Sequence, residues 1–120
     1  MGAIAGTLAV MSFLHLSGIL GGGGKPFEHD NAGIAEAVIC VVLGYGAMAL
    51  VRRGSRARPV ALAATGFAIV GFLVGLSFTL AGGSAIDVAY HLSVLPLLLL
   101  ILLGLTRSRD RSTGSVRARP

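Results

Sequence analysis

Four long apolar segments separated by short links constrain the fold of this chain more than any other feature. The segments cover residues 3–20, 32–51, 59–80 and 85–105. A helix that rises about 1.5 Å per residue needs about 20 apolar residues to cross the roughly 30 Å hydrocarbon core of a bilayer. Because the segments are continuously apolar and do not alternate with a period of two, they predict membrane-spanning helices and not barrel strands.

The composition favours a membrane protein for the same reason. Hydrophobic residues make up 54% of the chain and charged residues 12%, and the mean hydropathy is +0.84. A soluble domain of this size buries only roughly 65% of the surface that its unfolded chain exposes, so it could not hide this much apolar area. The single cysteine excludes an intrachain disulfide and a multi-cysteine metal site.

Short links between the segments predict antiparallel neighbours. We therefore expect one all-α integral membrane domain over residues 1–106, with four transmembrane helices in an up-down-up-down antiparallel bundle. The basic tail at 107–120 is expected to be disordered or to lie on the lipid headgroups. The first segment lacks the charged lead of a secretory signal peptide, so we expect it to be retained as a span.

The basic residues predict the orientation of these spans. Nine of the ten lysine and arginine residues lie either in the middle link, residues 52–58, or in the tail, and only Lys25 lies elsewhere. The positive-inside rule places both regions in the cytoplasm, with the N-terminus on the same side of the cell membrane. These charges suit anionic lipid headgroups, and we expect no nucleic-acid partner. The excess of arginine over lysine suggests a bacterial source.

Ionisable residues inside the spans are the candidate site. By helix rise, His15, Glu36 and His91 each lie roughly 6 to 9 Å inside the predicted outer boundary, and Asp87 lies one turn above His91 on the same face. Since charged groups are costly in lipid, these four side chains are expected to face the bundle interior and to pair as a site for a proton, metal or other ligand. The same pattern also fits a purely structural hydrogen-bond cluster, or side chains that reach up to the interface. Asp87 alone also fits a first-turn carboxylate that the helix dipole favours, because it follows Gly82, Gly83 and Ser84.

Two side chains with sulfur atoms, which are soft metal ligands, are predicted to lie one turn deeper in the membrane. Met11 precedes His15 by four residues, and Cys40 follows Glu36 by four. Thioether and thiol ligands together with imidazole suit copper(I), although methionine and cysteine are also ordinary packing residues in membrane cores.

Three further residues affect the shape and polarity of the last two spans. Ser77 and Thr79 could add hydroxyl groups to the polar layer, or bond back to carbonyls of their own helix. Pro96 predicts a kink in the fourth helix, because proline leaves the carbonyl four residues earlier without its helical hydrogen bond.

The first outer loop carries a second, solvent-exposed group of candidates. Glu28, His29 and Asp30 could guide cations to the site. The alternative is a solvated loop in which Asp30 or Asn31 caps the second helix.

Glycines mark places where helices could approach closely. The third segment carries Gly66, Gly71 and Gly75, and the last two form a small-xxx-small pair. Similar glycines are Gly2, Gly6, Gly44 and Gly46. They predict close packing within the chain, or an interface in a homo-oligomer or with another membrane protein.

Three functions fit this pattern. The first is a small transport or accessory membrane protein that binds a proton or cation at the His/Glu/Asp cluster. The second is a redox protein, with His15 and His91 as ligands of haem b or with Glu36 joining them around a transition metal. The third is a structural subunit with no ligand. An enzyme is the least supported, because the sequence contains no recognisable catalytic motif.

Overall fold

The computed structural model describes residues 1–20 and 29–114, with side chains for 1–20 and 30–107. Within these ranges the chain is all-helical and contains no strand. The four helices are α1 (Gly2–Leu16), α2 (His29–Arg52), α3 (Ala57–Gly82) and α4 (Ala85–Gly114).

Three of these helices are long enough and apolar enough to cross a membrane, namely α2, α3 and α4. Helix α1 is apolar but has only 15 residues, which is about 22 Å of helix. It ends before residue 20, where the sequence had predicted the end of the span, because the chain turns at Gly18, whose φ is 73°. Glycine adopts this left-handed conformation at little cost and so stops a helix readily.

Helix α4 is longer than the predicted fourth span. It continues to Gly114, so the first eight residues of the predicted tail are helical. No proline or glycine interrupts residues 105–113, and polar side chains can continue a helix beyond the apolar segment. Pro96 lies inside the same helix, which continues past it.

Each helix packs against the next one along the chain. Between α1 and α2, Cys40 Sγ donates to the Ala5 carbonyl and Ser12 Oγ donates to the Gly33 carbonyl. Later residues of α1 thus meet earlier residues of α2. The first and last helices also touch, through a 3.0 Å hydrogen bond between the Thr7 and Tyr90 hydroxyl groups.

The outside of the helices is apolar. Val41 and Val51 of α2 are 71% and 75% exposed, and large aliphatic or aromatic side chains are exposed on all four helices. The buried core is small and centres on Leu8, Leu43, Phe72 and Leu98. Apolar surface on this scale is typical of a protein whose surroundings are lipid.

The two ends of the helices differ in chemistry. At one end, the arginine-rich link leads into the first turn of α3, where the Arg58 guanidinium donates to the α4 carbonyls of Leu105 and Thr106. The ionisable residues His15, Glu36 and Asp87 lie at the opposite end.

Only some of the predicted packing glycines make close contacts. A Cβ added at Gly71 would lie 2.6 Å from Ile39, one at Gly75 2.6 Å from His91, and one at Gly46 2.7 Å from Ala64. Gly66 was predicted to pack in the same way, but a Cβ there would meet nothing within 4 Å in the described chain. The same holds for Gly2, Gly6 and Gly44.

Candidate functional site

The imidazole of His15 lies between two carboxylates from two other helices. Its Nδ1 is 2.8 Å from Glu36 Oε2 and its Nε2 is 3.0 Å from Asp87 Oδ1. The three side chains are 1%, 8% and 2% exposed, so water does not screen their interactions. We call these three residues the carboxylate–imidazole cluster.

Local sequence brings the first two members together. His15 lies on the last turn of α1, and Glu36 lies one turn after Gly33 on α2. Gly33 accepts a 2.7 Å hydrogen bond from Ser12, and a Cβ there would lie 3.1 Å from the Cβ of His15. The absence of a side chain at Gly33 therefore allows α1 and α2 to approach closely enough for the His15–Glu36 contact.

Asp87 holds the third position through the cap of α4. Its Oδ2 accepts hydrogen bonds from the Ser84 hydroxyl at 2.7 Å and the Ser84 backbone N–H at 3.2 Å. In return, the backbone N–H of Asp87 donates to Ser84 Oγ at 3.2 Å. This reciprocal arrangement is a capping box, and it leaves Oδ1 directed at His15.

His91 lies next to the cluster, one turn further along α4. Its Nδ1 donates to the backbone carbonyl of Asp87 at 2.8 Å, which fixes that nitrogen as the protonated one. The ring packs on Phe72, with centroids 5.0 Å apart, and its Nε2 lies against Gly75 of α3. The structure therefore brings all four predicted intramembrane residues to one end of the helices.

The second carboxylate oxygen of Glu36 has a different environment. Oε1 is buried and has no hydrogen-bond partner within the described part of the chain. Glu36 lines a cavity of about 510 Å³, the inner part of which is formed by His15, Asp87 and His91. Its outer walls are mostly apolar residues of α2 and α3, among them Val38, Phe67, Val70, Val74 and Phe78.

The secondary candidates lie outside this cluster or bond within their own helices. Ser77 Oγ donates to the Val74 carbonyl and Thr79 Oγ1 donates to the Gly75 carbonyl. Both hydroxyl groups therefore bond to carbonyls of their own helix, which was one of the two alternatives for them. Cys40 donates to α1 as described above, and Met11 is buried at 8% exposure without lining the cavity.

The outer-loop candidates are only partly described. Glu28 lies outside the described residues, as does the side chain of His29. Helix α2 begins at His29, so Asp30 lies in its first turn instead of at the N-cap position predicted for Asp30 or Asn31.

The arrangement does not favour ligation of a metal or haem. Both nitrogens of His15 face carboxylate oxygens, so neither is directed at an iron. Among the residues that the structure describes, no group of three His, Cys, Asp or Glu side chains is arranged to hold a metal ion.

Sequence reasoning missed the residues that position the cluster, namely Ser12, Gly33, Ser84 and Phe72. Two of them carried a readable signal. Ser84 precedes Asp87 by three residues, which is capping-box spacing, and Gly33 precedes Glu36 by three, which places both on one helix face.

Comparisons with models of protein families, with curated proteins and with solved structures find no match for this chain. The chemistry of the carboxylate–imidazole cluster and its cavity is therefore the basis for a functional proposal.

Proposed function

We propose that this chain is a small multi-pass membrane protein that binds and releases a proton or cation at the carboxylate–imidazole cluster, as a transport or accessory protein. In this proposal α1 is a fourth, short span, and the helices form an antiparallel up-down-up-down bundle. The arginine-rich end and both termini face the cytoplasm, and the cluster lies toward the outer face.

The observation that carries the proposal is the position of His15 between Glu36 and Asp87. With all three groups ionised, the cluster has one net negative charge among apolar side chains, and a net charge there is costly. One added proton or one monovalent cation makes it neutral. Exchange of a single positive charge is therefore the reaction that this arrangement supports best.

The described residues around the cluster supply few competing charges. On α4, His91 Nδ1 is hydrogen-bonded to the backbone carbonyl of Asp87. The Tyr90 hydroxyl is hydrogen-bonded to the Thr7 hydroxyl. Helix α3 contributes the hydroxyl of Thr79 and the ring of Phe72 but no titratable side chain between residues 59 and 82. The charge of the site is thus set mainly by His15, Glu36 and Asp87, with His91 as their only titratable neighbour among the described lining residues.

Proton movement in liposomes tests the proposal. The purified protein is reconstituted with a pH-sensitive dye inside the vesicles, and decay of an imposed pH gradient is followed at fixed membrane potential. We expect faster decay than in empty vesicles, and loss of most of that effect in Glu36→Gln. The matched control is Asp110→Asn, which removes a carboxylate from the arginine-rich end of α4, far from the cluster.

The same experiment separates a structural role. A cluster that only fixes helix pairing predicts no decay above empty vesicles for the wild-type protein and no difference between the two variants. That result, obtained with protein whose helical circular dichroism is intact, would overturn the proposal.

A further inference from the structure

The cavity beside the cluster is open on one side of the protein. Its outer wall consists of Val38 of α2 and of Phe67, Val70, Val74 and Phe78 of α3, and these five side chains are 48% to 61% exposed. In a protein whose outer surface faces lipid, this opening leads sideways into the bilayer. A ligand that reaches the cavity by this route must partition into lipid.

The inner end of the cavity carries negative charge that is incompletely neutralised. Glu36 Oε2 is paired with His15, but Oε1 has no hydrogen-bond partner among the described residues, although the side chain is only 8% exposed. A buried carboxylate oxygen without a partner is costly. Because Glu36 lines the cavity, a positively charged group there would be attracted to its carboxylate, and little water screens that attraction.

We propose that this cavity binds a lipophilic organic monocation, with the Glu36 carboxylate as its counter-ion; this inference rests on the proposed function. The volume of about 510 Å³ lies within the roughly 300 to 1,000 Å³ of typical small-molecule sites. Aromatic walls suit an organic cation, because the ring faces of Phe67 and Phe78 attract positive charge. A bare metal cation fits poorly, since Ca²⁺ or Mg²⁺ takes about six or more oxygen ligands.

Binding of such a cation displaces a proton when Glu36 is in its acid form. The acid gives up its proton to the solvent, and the cation pairs with the resulting carboxylate, so that one positive charge leaves the site as one arrives. The charge of the cluster is the same before and after the exchange. Cation uptake and proton release are therefore coupled one to one at a single side chain.

Calorimetry with two ions of the same shape and opposite charge tests this inference. Tetraphenylphosphonium and tetraphenylborate are titrated separately into the detergent-solubilised full chain, in buffers with different enthalpies of ionisation. We expect the phosphonium to bind with release of up to one proton per ion, a value that falls as the pH rises. We expect at least about tenfold weaker binding of the borate, because an ion pair is replaced by repulsion.

Two pairs of variants locate the site. Glu36→Gln should weaken phosphonium binding at least about tenfold and abolish proton release, whereas Asp110→Asn, at the far end of α4, should change neither. Val74→Phe fills the cavity without altering an ionisable group and should also abolish binding. Its control is Leu73→Phe, an exposed neighbour on α3 that does not line the cavity.

The outcomes distinguish this inference from the proposed function. Equal binding of both ions would overturn the inference and would assign the cavity to a neutral apolar occupant such as a lipid chain. This comparison uses the wild-type protein only, so it does not depend on whether a variant folds. Unchanged phosphonium affinity in Glu36→Gln or Val74→Phe would overturn it too. If proton movement in liposomes still depends on Glu36 while the phosphonium does not bind, the inference fails and the proposed function stands.

Discussion

Gly75 of α3 lies directly against the imidazole of His91 on α4, so that a Cβ at position 75 would lie 2.6 Å from Nε2. The ring cannot move away easily, because Nδ1 is bonded to the Asp87 carbonyl and the ring also packs on Phe72. Residue 75 therefore determines where the second histidine of the site can lie.

Gly75→Ala is expected to displace the His91 ring and to destabilise the protein by about 1 to 3 kcal/mol, as overpacking generally does. Histidine side-chain NMR and thermal unfolding in detergent measure the two effects. Gly66→Ala is the control on the same helix, because a Cβ there meets nothing within 4 Å. It should leave the His91 signal unchanged and raise stability slightly, since alanine favours helix over glycine. Indistinguishable histidine spectra for the two variants would contradict the packing described here.

Gly33→Ala should separate α1 from α2. A Cβ at position 33 would lie 2.8 Å from Leu16 Cγ and 3.1 Å from His15 Cβ. We expect lower thermal stability and weaker coupling of His15 to Glu36, visible as an altered His15 NMR signal. Gly44→Ala, on the same helix with open space around it, should change neither property. A milder effect at position 33 than at position 44 would show that close approach there is not required.

Ser84→Ala removes the hydroxyl that caps α4 and holds Asp87 Oδ2. Loss of an N-cap typically costs about 1 kcal/mol, measurable as a lower free energy of unfolding in a denaturant titration. The comparison is Ser77→Ala, whose hydroxyl bonds only to a carbonyl of its own exposed helix turn. Equal stabilities for the two alanine variants would show that the capping box contributes nothing.

The geometry of the cluster predicts that replacing His15 destabilises the protein more than replacing Glu36 does. His15→Leu leaves Glu36 and Asp87 buried without the imidazole that lies between them and should destabilise the protein by about 3 to 5 kcal/mol. Glu36→Leu should cost less, because His15 keeps Asp87. Adding Glu36→Leu to His15→Leu should recover part of the loss, as measured by unfolding titrations of all three proteins. Simple additivity of the two costs would mean that the carboxylates do not interact through His15.

Optical absorption tests the redox alternative. Because both nitrogens of His15 face carboxylates, the purified protein should show no Soret band and no stoichiometric transition metal by elemental analysis. A Soret band that disappears in both His15→Ala and His91→Ala would require a different arrangement of the two imidazoles.

The length and apolar character of the segments were enough to predict the helices, but not all of their limits. The predicted segments at 32–51 and 59–80 differ from α2 and α3 by at most three residues at either end. The first helix is shorter than expected because Gly18 adopts a positive φ, which depends on how the chain leaves the helix. Helix α4 is longer because apolar content marks the membrane-spanning part of a helix and not the helix itself.

The candidate site shows what counting along a helix can and cannot predict. Helix rise predicted similar depths for His15, Glu36 and His91. The structure places His15 Nδ1 2.8 Å from Glu36 Oε2 and His15 Nε2 3.0 Å from Asp87 Oδ1. Counting does not give the rotation of each helix about its axis, which depends on packing in three dimensions. For that reason the sequence did not predict which oxygen of Glu36 pairs with His15, or that a Cβ would meet nothing within 4 Å at Gly66 but would meet His91 at Gly75.

The capping role of Asp87 has a consequence for attempts to engineer this protein. One of its oxygens completes the start of α4 and the other belongs to the cluster. Helix stability and the geometry of the cluster therefore cannot be selected independently at this position. Variants that tune the site without weakening the scaffold should arise at Glu36, whose carboxylate makes no comparable contact with a helix end.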